Sequence, residues 1–483
     1  MKKNHNFGLL IFILSLIVLT LACGLGGGSE PTQVPAVAEP TAVPAEPTEV
    51  PVEPTMAPEP TEEPTAEPMQ EEPTEAVSQP ESATPSDDLV IDTVNGYRDD
   101  LGSLHIIGLV TNNSDRAVDN VEVEIEIFDA NDNSLYVETT LISLYKLAPT
   151  ETSPFSYWVF DDLPDADHYV ATIVGQSVAE FERAEVSLEG VMLVVDDSGD
   201  LHITGNLVNQ SDTPVEVSSL AAATFDENGE LYTADAHSVI IRHLDPGEDG
   251  PFRVTMTGPE GGSANITEYE VYVDAVVADP AEVFNINFSE THHNYVDAYN
   301  SFHLVGEVTN SDNEFLTISL VAGIYDADGN VIDAATTDIP TFSIAPGETL
   351  PYDFQYWGPL NYKSGIIDAA SSYTVQWDPY WTWTSTAEYN DLSTQNDQNE
   401  VSSYQVTFTG EVINDSGIEV DGATIIVSLY SKETGELTAT GYGGIYEPIA
   451  PNATAEYTVW IEIPEDFNID TVEYVIIARG DLP

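Results

Sequence analysis

The sequence predicts an all-β protein in which four tandem antiparallel β-sandwiches follow a disordered stalk. Three observations predict this class. Short segments alternate apolar and polar residues, clusters of Asp, Asn, Gly and Pro separate them, and the same landmarks recur roughly every 100 residues. Because no stretch shows the period of an amphipathic helix, we expect strands and turns throughout the repeated region.

The chain begins with the features of an export signal. Lys2 and Lys3 precede an uncharged, mostly apolar segment at 7–22, and Cys23 follows. A positive start, a short apolar segment and a small residue before the cleavage point predict a signal peptide at 1–22, since about 20 apolar residues are needed to cross a bilayer.

Cys23 directly after the cleavage point resembles a bacterial lipoprotein signal, which implies that its thiol carries a diacylglycerol. We therefore expect an extracytoplasmic protein, lipid-anchored to the bacterial cell membrane or surface. Cys23 is the single cysteine among 483 residues, so the exported domains have no intrachain disulfide and must be stable through their cores.

Residues 23–87 predict a disordered stalk behind the lipidated cysteine. The segment is rich in Pro, Glu and Thr, and between 29 and 86 it has no Lys, Arg or aromatic residue. Such a composition buries too little apolar surface to offset chain entropy. Proline and like charges extend it, which is typical of a spacer that lifts domains away from a membrane.

The charge and the motifs exclude several functions. With 84 acidic and 11 basic residues the net charge is −73, so we expect no nucleic-acid partner, since phosphate binding needs clustered Lys and Arg. The sequence lacks a Gly-x-Ser-x-Gly elbow, a phosphate loop, a His-Glu-x-x-His helix and a cysteine nucleophile in the repeats. We therefore expect a protein that is not an enzyme.

The remaining chain divides into four repeats, predicted at 88–180, 181–280, 281–378 and 379–483. Each repeat carries a glycine, an asparagine four residues later, a proline in a later turn and an aromatic residue six positions after that proline. These landmarks are Gly108, Asn112, Pro149 and Phe155; Gly205, Asn209, Pro246 and Phe252; Gly306, Asn310, Pro346 and Tyr352; and Gly410, Asn414, Pro451 and Tyr457. Several landmarks kept in register over four copies indicate duplicated domains.

Alternation within the repeats predicts strands with one face in a core and one in water. Val121, Val123, Ile125 and Ile127 alternate with glutamates, and an apolar series at 318–324 is predicted to do the same in the third repeat. Asp-rich turns follow these strands, and Asn, Asp and Gly accept the backbone conformations of hairpin turns. Short strands with frequent turns are typical of antiparallel β-sandwiches.

The order of these elements resembles the FxLYD domain, an immunoglobulin-like module of bacterial lipoproteins and exported proteins. The motif that names the family corresponds to 125–129, 222–226, 322–326 and 427–431, and the resemblance covers roughly 89–483. It implies an immunoglobulin-like fold and an extracellular setting, and it brings no established catalytic residues.

Aspartates in two turns are candidates for a Ca²⁺ site, since Ca²⁺ takes carboxylate and carbonyl oxygens. They are Asp326 and Asp328 in a mid-repeat turn, and Asp196, Asp197 and Asp200 near a domain junction. The mid-repeat turns align with one another, which favours ordinary hairpin turns. We expect no cofactor, with calcium at these aspartates as the alternative.

Three histidines occupy one repeated position, three residues before the glycine: His105, His202 and His303. They lie on separate predicted domains, which argues against a shared metal triad. We expect them at a solvent-facing strand position.

The densest aromatic segment lies where the third repeat passes into the fourth, and it contains Trp377, Tyr380, Trp381 and Trp383. Flat aromatic faces bind sugar rings and dominate many protein interfaces. The alternative is that these rings pack the junction between two sandwiches.

The predicted function is that of a cell-surface lipoprotein that displays four immunoglobulin-like domains for non-catalytic binding. The expected partners are the membrane, through the lipid anchor, and an envelope protein or glycan. The alternative is a structural spacer of the cell envelope, stiffened by calcium.

Overall fold

The computed structural model describes residues 88–161, 163–260, 266–355, 358–386 and 388–482. They belong to one compact unit, Val77–Pro483. The signal peptide, Cys23 and the stalk lie outside the described residues, so those sequence-based expectations stay predictions. In the described part of the chain the helices are single short turns, and none is long and apolar enough to cross a membrane.

The predicted fold class, tandem immunoglobulin-like antiparallel β-sandwiches, is confirmed for the described residues. In the first sandwich, a three-stranded sheet (order β1-β2-β6) faces a four-stranded one in which β3 pairs with β4, β5 and β7. The strands are β1 Leu89–Arg98, β2 Leu104–Asn112, β3 Val118–Phe128, β4 Ser134–Leu141, β5 Lys146–Leu147, β6 Thr152–Val159 and β7 His168–Val178.

The second sandwich has two four-stranded sheets, β12-β14-β9-β8 and a sheet in which β10 pairs with β11, β13 and β15. Its strands are β8 Val186–Val195, β9 Leu201–Asn209, β10 Val215–Phe225, β11 Leu231–Asp235, β12 Ser238–Val239, β13 His243–Leu244, β14 Asp249–Met256 and β15 Glu268–Val277.

The third sandwich adds a short helix and an extra strand pair. Its elements are β16 Ile286–Phe288, β17 His293–Val296, β18 Phe302–Asn310, β19 Leu316–Thr317, β20 Ser319–Tyr325, β21 Val331–Asp338, β22 Thr349–Gln355, α1 Pro359–Tyr362, β23 Ser372–Trp377 and β24 Trp383–Thr384. β24 pairs with β19, so hydrogen bonding within this sandwich continues past residue 378, where the sequence placed the boundary.

In the fourth sandwich the first strand belongs to both sheets. The strands are β25 Tyr389–Val401, β26 Gln405–Ile413, β27 Gly422–Ser431, β28 Leu437–Ile445, β29 Thr454–Glu462 and β30 Val472–Asp481. The first half of β25 pairs with β30 and its second half with β26, with a register shift between Gln395 and Gln398. Asn396 has a φ of 57° at this bulge, a conformation that asparagine tolerates.

The repeated landmarks have structural reasons. The glycine lies under the ring of the later aromatic residue: a Cβ on Gly205 would lie 2.9 Å from the Phe252 ring, and one on Gly410 would lie 2.7 Å from Tyr457. The asparagine is fully buried and ties two segments together. Asn414 Nδ2 donates to the carbonyl oxygens of Ile418 and Ile449, at 2.7 Å each, and the other three copies make the equivalent pairs of bonds.

The alternation predicted for β3 is confirmed, but the prediction for the third repeat is half wrong. In β3 the apolar residues are buried and the glutamates face outward. In β20 both faces are buried from Leu320 to Tyr325, because the outward residues pack on the preceding sandwich. Val321 belongs to the core cluster of the second sandwich, and a Cβ on Gly323 would lie 2.8 Å from Pro251.

One outward-facing position of this strand can be compared across all four repeats. It is Glu124 in the first repeat, which has no described predecessor, and Ala221, Val321 and Ile426 in the other three. Ala221 packs into the core of the first sandwich and Ile426 into that of the third. The outward face of this strand is thus the surface by which each sandwich contacts its predecessor.

The expectation of solvent-facing histidines is wrong. His105, His202 and His303 are 5%, 1% and 1% exposed. Each follows by six residues an aspartate (Asp99, Asp196 or Asp297) that accepts backbone N–H groups in the turn between the first two long strands of its sandwich. Rings of the same sandwich cover two of the imidazoles: Tyr97 and Trp158 stack on His105, and Tyr295 stacks on His303. This end of each sandwich also faces the next one.

Hydrogen bonds at these turns reach the neighbouring sandwich directly. Tyr97, which stacks on His105 with ring centroids 4.9 Å apart, donates from its hydroxyl to the carbonyl of Thr257, at 2.8 Å. The backbone N–H of Asp197, in the second sandwich, donates to the carbonyl oxygen of Tyr362 in the third. The backbone N–H of Ala298, in the third sandwich, donates to the carbonyl oxygen of Ile463 in the fourth. The fourth repeat, which has no described successor, carries Val401 and Thr407 in place of the aspartate and the histidine.

Each junction also contains one arginine bound to acids. Arg183, between the first two sandwiches, pairs with Glu151 at 2.6 Å and with Asp274. Arg253 of the second sandwich pairs with Asp333 of the third, and Arg479 of the fourth pairs with Glu348 of the third. Asp274 and Asp333 are completely buried, so each depends on its arginine and on nearby N–H groups for compensation.

Asn414→Ala should destabilise the fourth sandwich by about 2–3 kcal/mol, because the carbonyls of Ile418 and Ile449 each lose a buried donor. Urea denaturation followed by tryptophan fluorescence measures the change. Asn399→Ala is the control, since Asn399 is exposed on β25, and an equal loss in both variants would contradict the role given to Asn414.

Arg253→Met should destabilise the second and third sandwiches by about 3 kcal/mol, because the Asp333 carboxylate stays buried without its cation. Differential scanning calorimetry measures the shift. Arg116→Met is the control, because Arg116 is exposed and lies 4.0 Å from Asp115. If the two substitutions lower the transition temperature equally, the junction pair does not carry the stability assigned to it.

Candidate binding cleft

A cleft lies where the second, third and fourth sandwiches meet. It encloses about 950 Å³. We call it the aromatic cleft after its rings and its cation: Arg242 of the second sandwich, Phe342, Trp381 and Trp383 of the third, and Tyr442 and Tyr446 of the fourth. Hydroxyl side chains complete the wall, among them Thr317, Thr336, Thr337 and Ser385.

The predicted aromatic segment divides between core and cleft. Trp377, on β23, packs on the third core and meets Phe284 edge-on with ring centroids 5.9 Å apart. Tyr380, Trp381 and Trp383 are 45%, 45% and 48% exposed. Trp381 and Trp383 line the cleft. Neither sequence interpretation holds for the whole segment, since Trp377 packs a sandwich and the other three present surface.

A short turn fixes the orientation of this segment. Asp378 caps the 3₁₀ turn Pro379–Trp381, and its carboxylate accepts the N–H of Tyr380 at 3.0 Å. The same carboxylate accepts the N–H of Arg242 at 3.2 Å, which ties the turn to the second sandwich. Burial raises the pKa of Asp378, and the N–H groups of Tyr380 and Arg242 oppose part of that rise.

Arg242 supplies positive charge inside the cleft. Its guanidinium carbon lies 5.7 Å from the ring centroids of both Tyr380 and Trp381, a cation–π distance. The two rings are nearly perpendicular, with an interplanar angle of 78°. The guanidinium also donates to the carbonyl of Ser218 at 3.1 Å, which limits its freedom and leaves further N–H groups for a ligand.

The cleft combines flat apolar rings with hydroxyl, carboxylate and guanidinium groups. Aromatic faces cover the C–H faces of sugar rings, and the polar groups around them match sugar hydroxyls and acidic substituents. The rings come from two sandwiches, Trp381 and Trp383 from one and Tyr442 and Tyr446 from the next. Sequence inspection singled out the tryptophans but missed Arg242, Phe342 and the two tyrosines, because they join the site only through the packing of the sandwiches.

The mid-repeat candidates for calcium are engaged as turn residues. Asp326 Oδ1 accepts the N–H groups of Asp328 and Asn330, and its Oδ2 accepts the Asn330 amide at 2.9 Å. The Asn330 amide holds the pKa of Asp326 below its usual value. Asp328 is exposed at the turn. The carboxylate of Asp326 is therefore directed at N–H groups of its own turn.

The candidates near the junction are engaged in the same way. Asp196 accepts three backbone N–H groups, and its Oδ2 lies 3.1 Å from His202 Nε2. Burial opposes ionisation of Asp196, but the His202 contact and the backbone donors outweigh it and lower the pKa. Asp197 reaches across to Lys363 and Ser364 of the third sandwich. Asp200 accepts the Gly258 N–H at 3.2 Å, and burial raises its pKa.

No family model matches the chain, and no curated protein matches it. The FxLYD assignment therefore stays a prediction. Among solved structures, the chain is similar to a tetra-tandem repeat from the extending region of a large adhesion protein, with 11% identity, a TM-score of 0.10, and coverage of 82% of this chain and 98% of that one. The native alpha-2-macroglobulin of E. coli is also similar, with 9% identity, a TM-score of 0.12, and coverage of 82% of this chain and 28% of that one.

Scores this low carry no argument about function or ligands. The chain is a tandem array of immunoglobulin-like antiparallel β-sandwiches. Its own residues form the sheets, the junctions between sandwiches and the cleft.

Proposed function

We propose that this protein is a non-catalytic, cell-surface glycan-binding protein that holds its ligand in the aromatic cleft. The observation that carries the proposal is the group of exposed rings around one cleft of about 950 Å³. Exposed aromatic residues gathered at a concave site are typical of binding surfaces, whereas scattered ones are not.

The chemistry of the cleft supports a carbohydrate ligand. Trp381 and Trp383 provide flat faces, the threonine and serine hydroxyls can donate and accept, and Asp338 and Asp378 line the same wall. Arg242 would pair with an acidic substituent such as a uronate carboxylate. A protein ligand would use the same rings, and the experiment below distinguishes it.

The predicted signal peptide and Cys23 support display at a bacterial surface. In this proposal the lipid on Cys23 anchors the chain, and residues 23–87 hold the sandwiches away from the membrane.

A spacer of the cell envelope is the second candidate. It is favoured by the continuous contacts between successive sandwiches, each with an arginine–carboxylate pair. A spacer needs rigid junctions but no ligand, so the two candidates differ in what the aromatic cleft retains.

Trp381→Ala and Trp383→Ala should each weaken glycan binding about tenfold or more, because each removes one stacking face. The measurement is retention on an array of bacterial envelope polysaccharides, followed by titration with the retained glycan. Trp158→Ala is the matched control, since Trp158 is also 45% exposed but lies in the first sandwich.

A parent chain that retains no glycan would contradict the proposal and favour the spacer. If the chain retains an envelope protein and no glycan, and the retention depends on the same tryptophans, the ligand of the cleft is a protein and not a glycan. If Trp158→Ala and Trp381→Ala lower the glycan affinity equally, the aromatic cleft is not the binding site.

Cys23→Ser should release the chain from the membrane fraction of a bacterial host into the soluble exported fraction, because the thiol that would accept the lipid is gone. Cell fractionation with an antibody to the sandwiches measures this. If the variant stays with the membrane, the lipid-anchor prediction is wrong.

A further inference from the structure

Three potential metal ligands meet at the junction of the third and fourth sandwiches. Asp297 and His303 come from the first hairpin of the third sandwich, and Glu462 comes from the end of β29 in the fourth. One ligand atom from each lies within 4.8 Å of the other two. Among the described residues this is the one such group, and it lies outside the aspartates that sequence analysis singled out.

The histidine and aspartate at the first two junctions are hydrogen-bonded to each other, and this site lacks that bond. His105 Nε2 lies 3.0 Å from Asp99 Oδ2, and His202 Nε2 lies 3.1 Å from Asp196 Oδ2, which are hydrogen-bond distances. At the third junction the corresponding distance, from His303 Nε2 to Asp297 Oδ2, is 3.5 Å. Neither atom has a hydrogen-bond partner in the described residues, and both are buried. Two polar atoms in this state need a compensating group.

The fourth sandwich adds a second carboxylate at this point. Glu462 Oε2 lies 3.7 Å from His303 Nε2. Ligands held about 2.0–2.2 Å from a tetrahedral Zn²⁺ are separated from one another by roughly 3.3–3.6 Å. The distances around His303 Nε2 are therefore too long for hydrogen bonds and close to those across a bound ion.

A third acidic group, the carboxylate of Asp353, fixes the orientation of the imidazole. His303 Nδ1 lies 2.9 Å from Asp353 Oδ2, and because a carboxylate accepts, Nδ1 carries the proton in this contact. The lone pair of a neutral imidazole then lies on Nε2, toward Asp297 and Glu462. A metal-binding histidine is usually oriented by such a carboxylate on its other nitrogen.

The charges at the junction also favour a cation. Asp297, Asp353 and Glu462 all have ion-pair contacts with His303, and one imidazole supplies at most one positive charge. A divalent ion in place of a proton on Nε2 would compensate the carboxylates more completely.

We propose that His303, Asp297 and Glu462 form a divalent metal site of the Zn²⁺ class that joins the third sandwich to the fourth. One imidazole and two carboxylates suit Zn²⁺ better than Ca²⁺, which prefers six or more oxygen ligands. A cleft of about 530 Å³ borders His303 and Glu462. The inference is independent of the glycan proposal, since neither Asp297 nor Glu462 lines the aromatic cleft.

The experiment is isothermal titration of ZnCl₂ into the chain after dialysis against a chelator, with Co²⁺ absorption as a second readout. We expect one Zn²⁺ per chain, a visible Co²⁺ band and a rise in the unfolding temperature, because an ion held only by the folded junction stabilises it. Glu462→Gln and His303→Gln should each lower the affinity at least tenfold.

His237→Gln is the matched control, because the side chain of His237 is 86% exposed and, within the described residues, its ion pair is with Asp235 alone. It should bind Zn²⁺ like the parent chain. Circular dichroism shows whether each variant is folded, and Glu462→Gln, at a partly exposed residue, keeps the test decisive if His303→Gln fails to fold.

Three results would overturn the proposal: no Zn²⁺ bound by the folded parent chain, unchanged affinity in folded Glu462→Gln, or binding of Ca²⁺ in preference to Zn²⁺. The first would mean that a proton on His303 joins the two sandwiches instead.

Discussion

The array depends on bringing acidic sandwiches into contact, and one arginine at each junction makes this possible. The chain has 11 basic residues against 84 acidic ones, so unpaired acidic faces would repel one another. Arg183, Arg253 and Arg479 each bind an acid on a facing segment. A planar guanidinium that is always charged suits such sites better than lysine does, because it can bind a carboxylate and a carbonyl together. Arg253 does so with Asp333 and the carbonyl of Ala334.

The sandwiches are similar in fold but differ at their ends, which gives the array a direction. The outward position of the third long strand is a glutamate in the first repeat and a buried apolar residue in the next three, as with Val321. At the opposite end, the buried Asp–His pair is present in three repeats and replaced by Val401 and Thr407 in the fourth. Within the described residues the first and fourth repeats each have one neighbour fewer than the internal repeats, and units with one neighbour fewer differ from internal ones in tandem arrays.

Local signals predicted the fold, and contacts between repeats decided what could not be predicted. The alternation at 121–127 and the Gly–Asn–Pro–aromatic landmarks specify strands, turns and a sandwich core, because each acts within one repeat. The burial of His303 was missed because a histidine on a strand next to a turn is usually exposed, and its partner Glu462 lies 159 residues away. Trp381 was recognised as a candidate, but Arg242 joins the cleft only once the second and third sandwiches pack.

The placement of the aromatic cleft across three sandwiches links the proposed ligand binding to the integrity of the array. A ligand that contacts Arg242, Trp383 and Tyr446 binds only when the second, third and fourth sandwiches keep their mutual positions. By thermodynamic reciprocity, occupancy of the cleft then resists separation of those sandwiches by the same free energy that their packing contributes to affinity. A load applied along the chain would accordingly have to overcome the ligand's binding free energy as well as the two junctions it bridges.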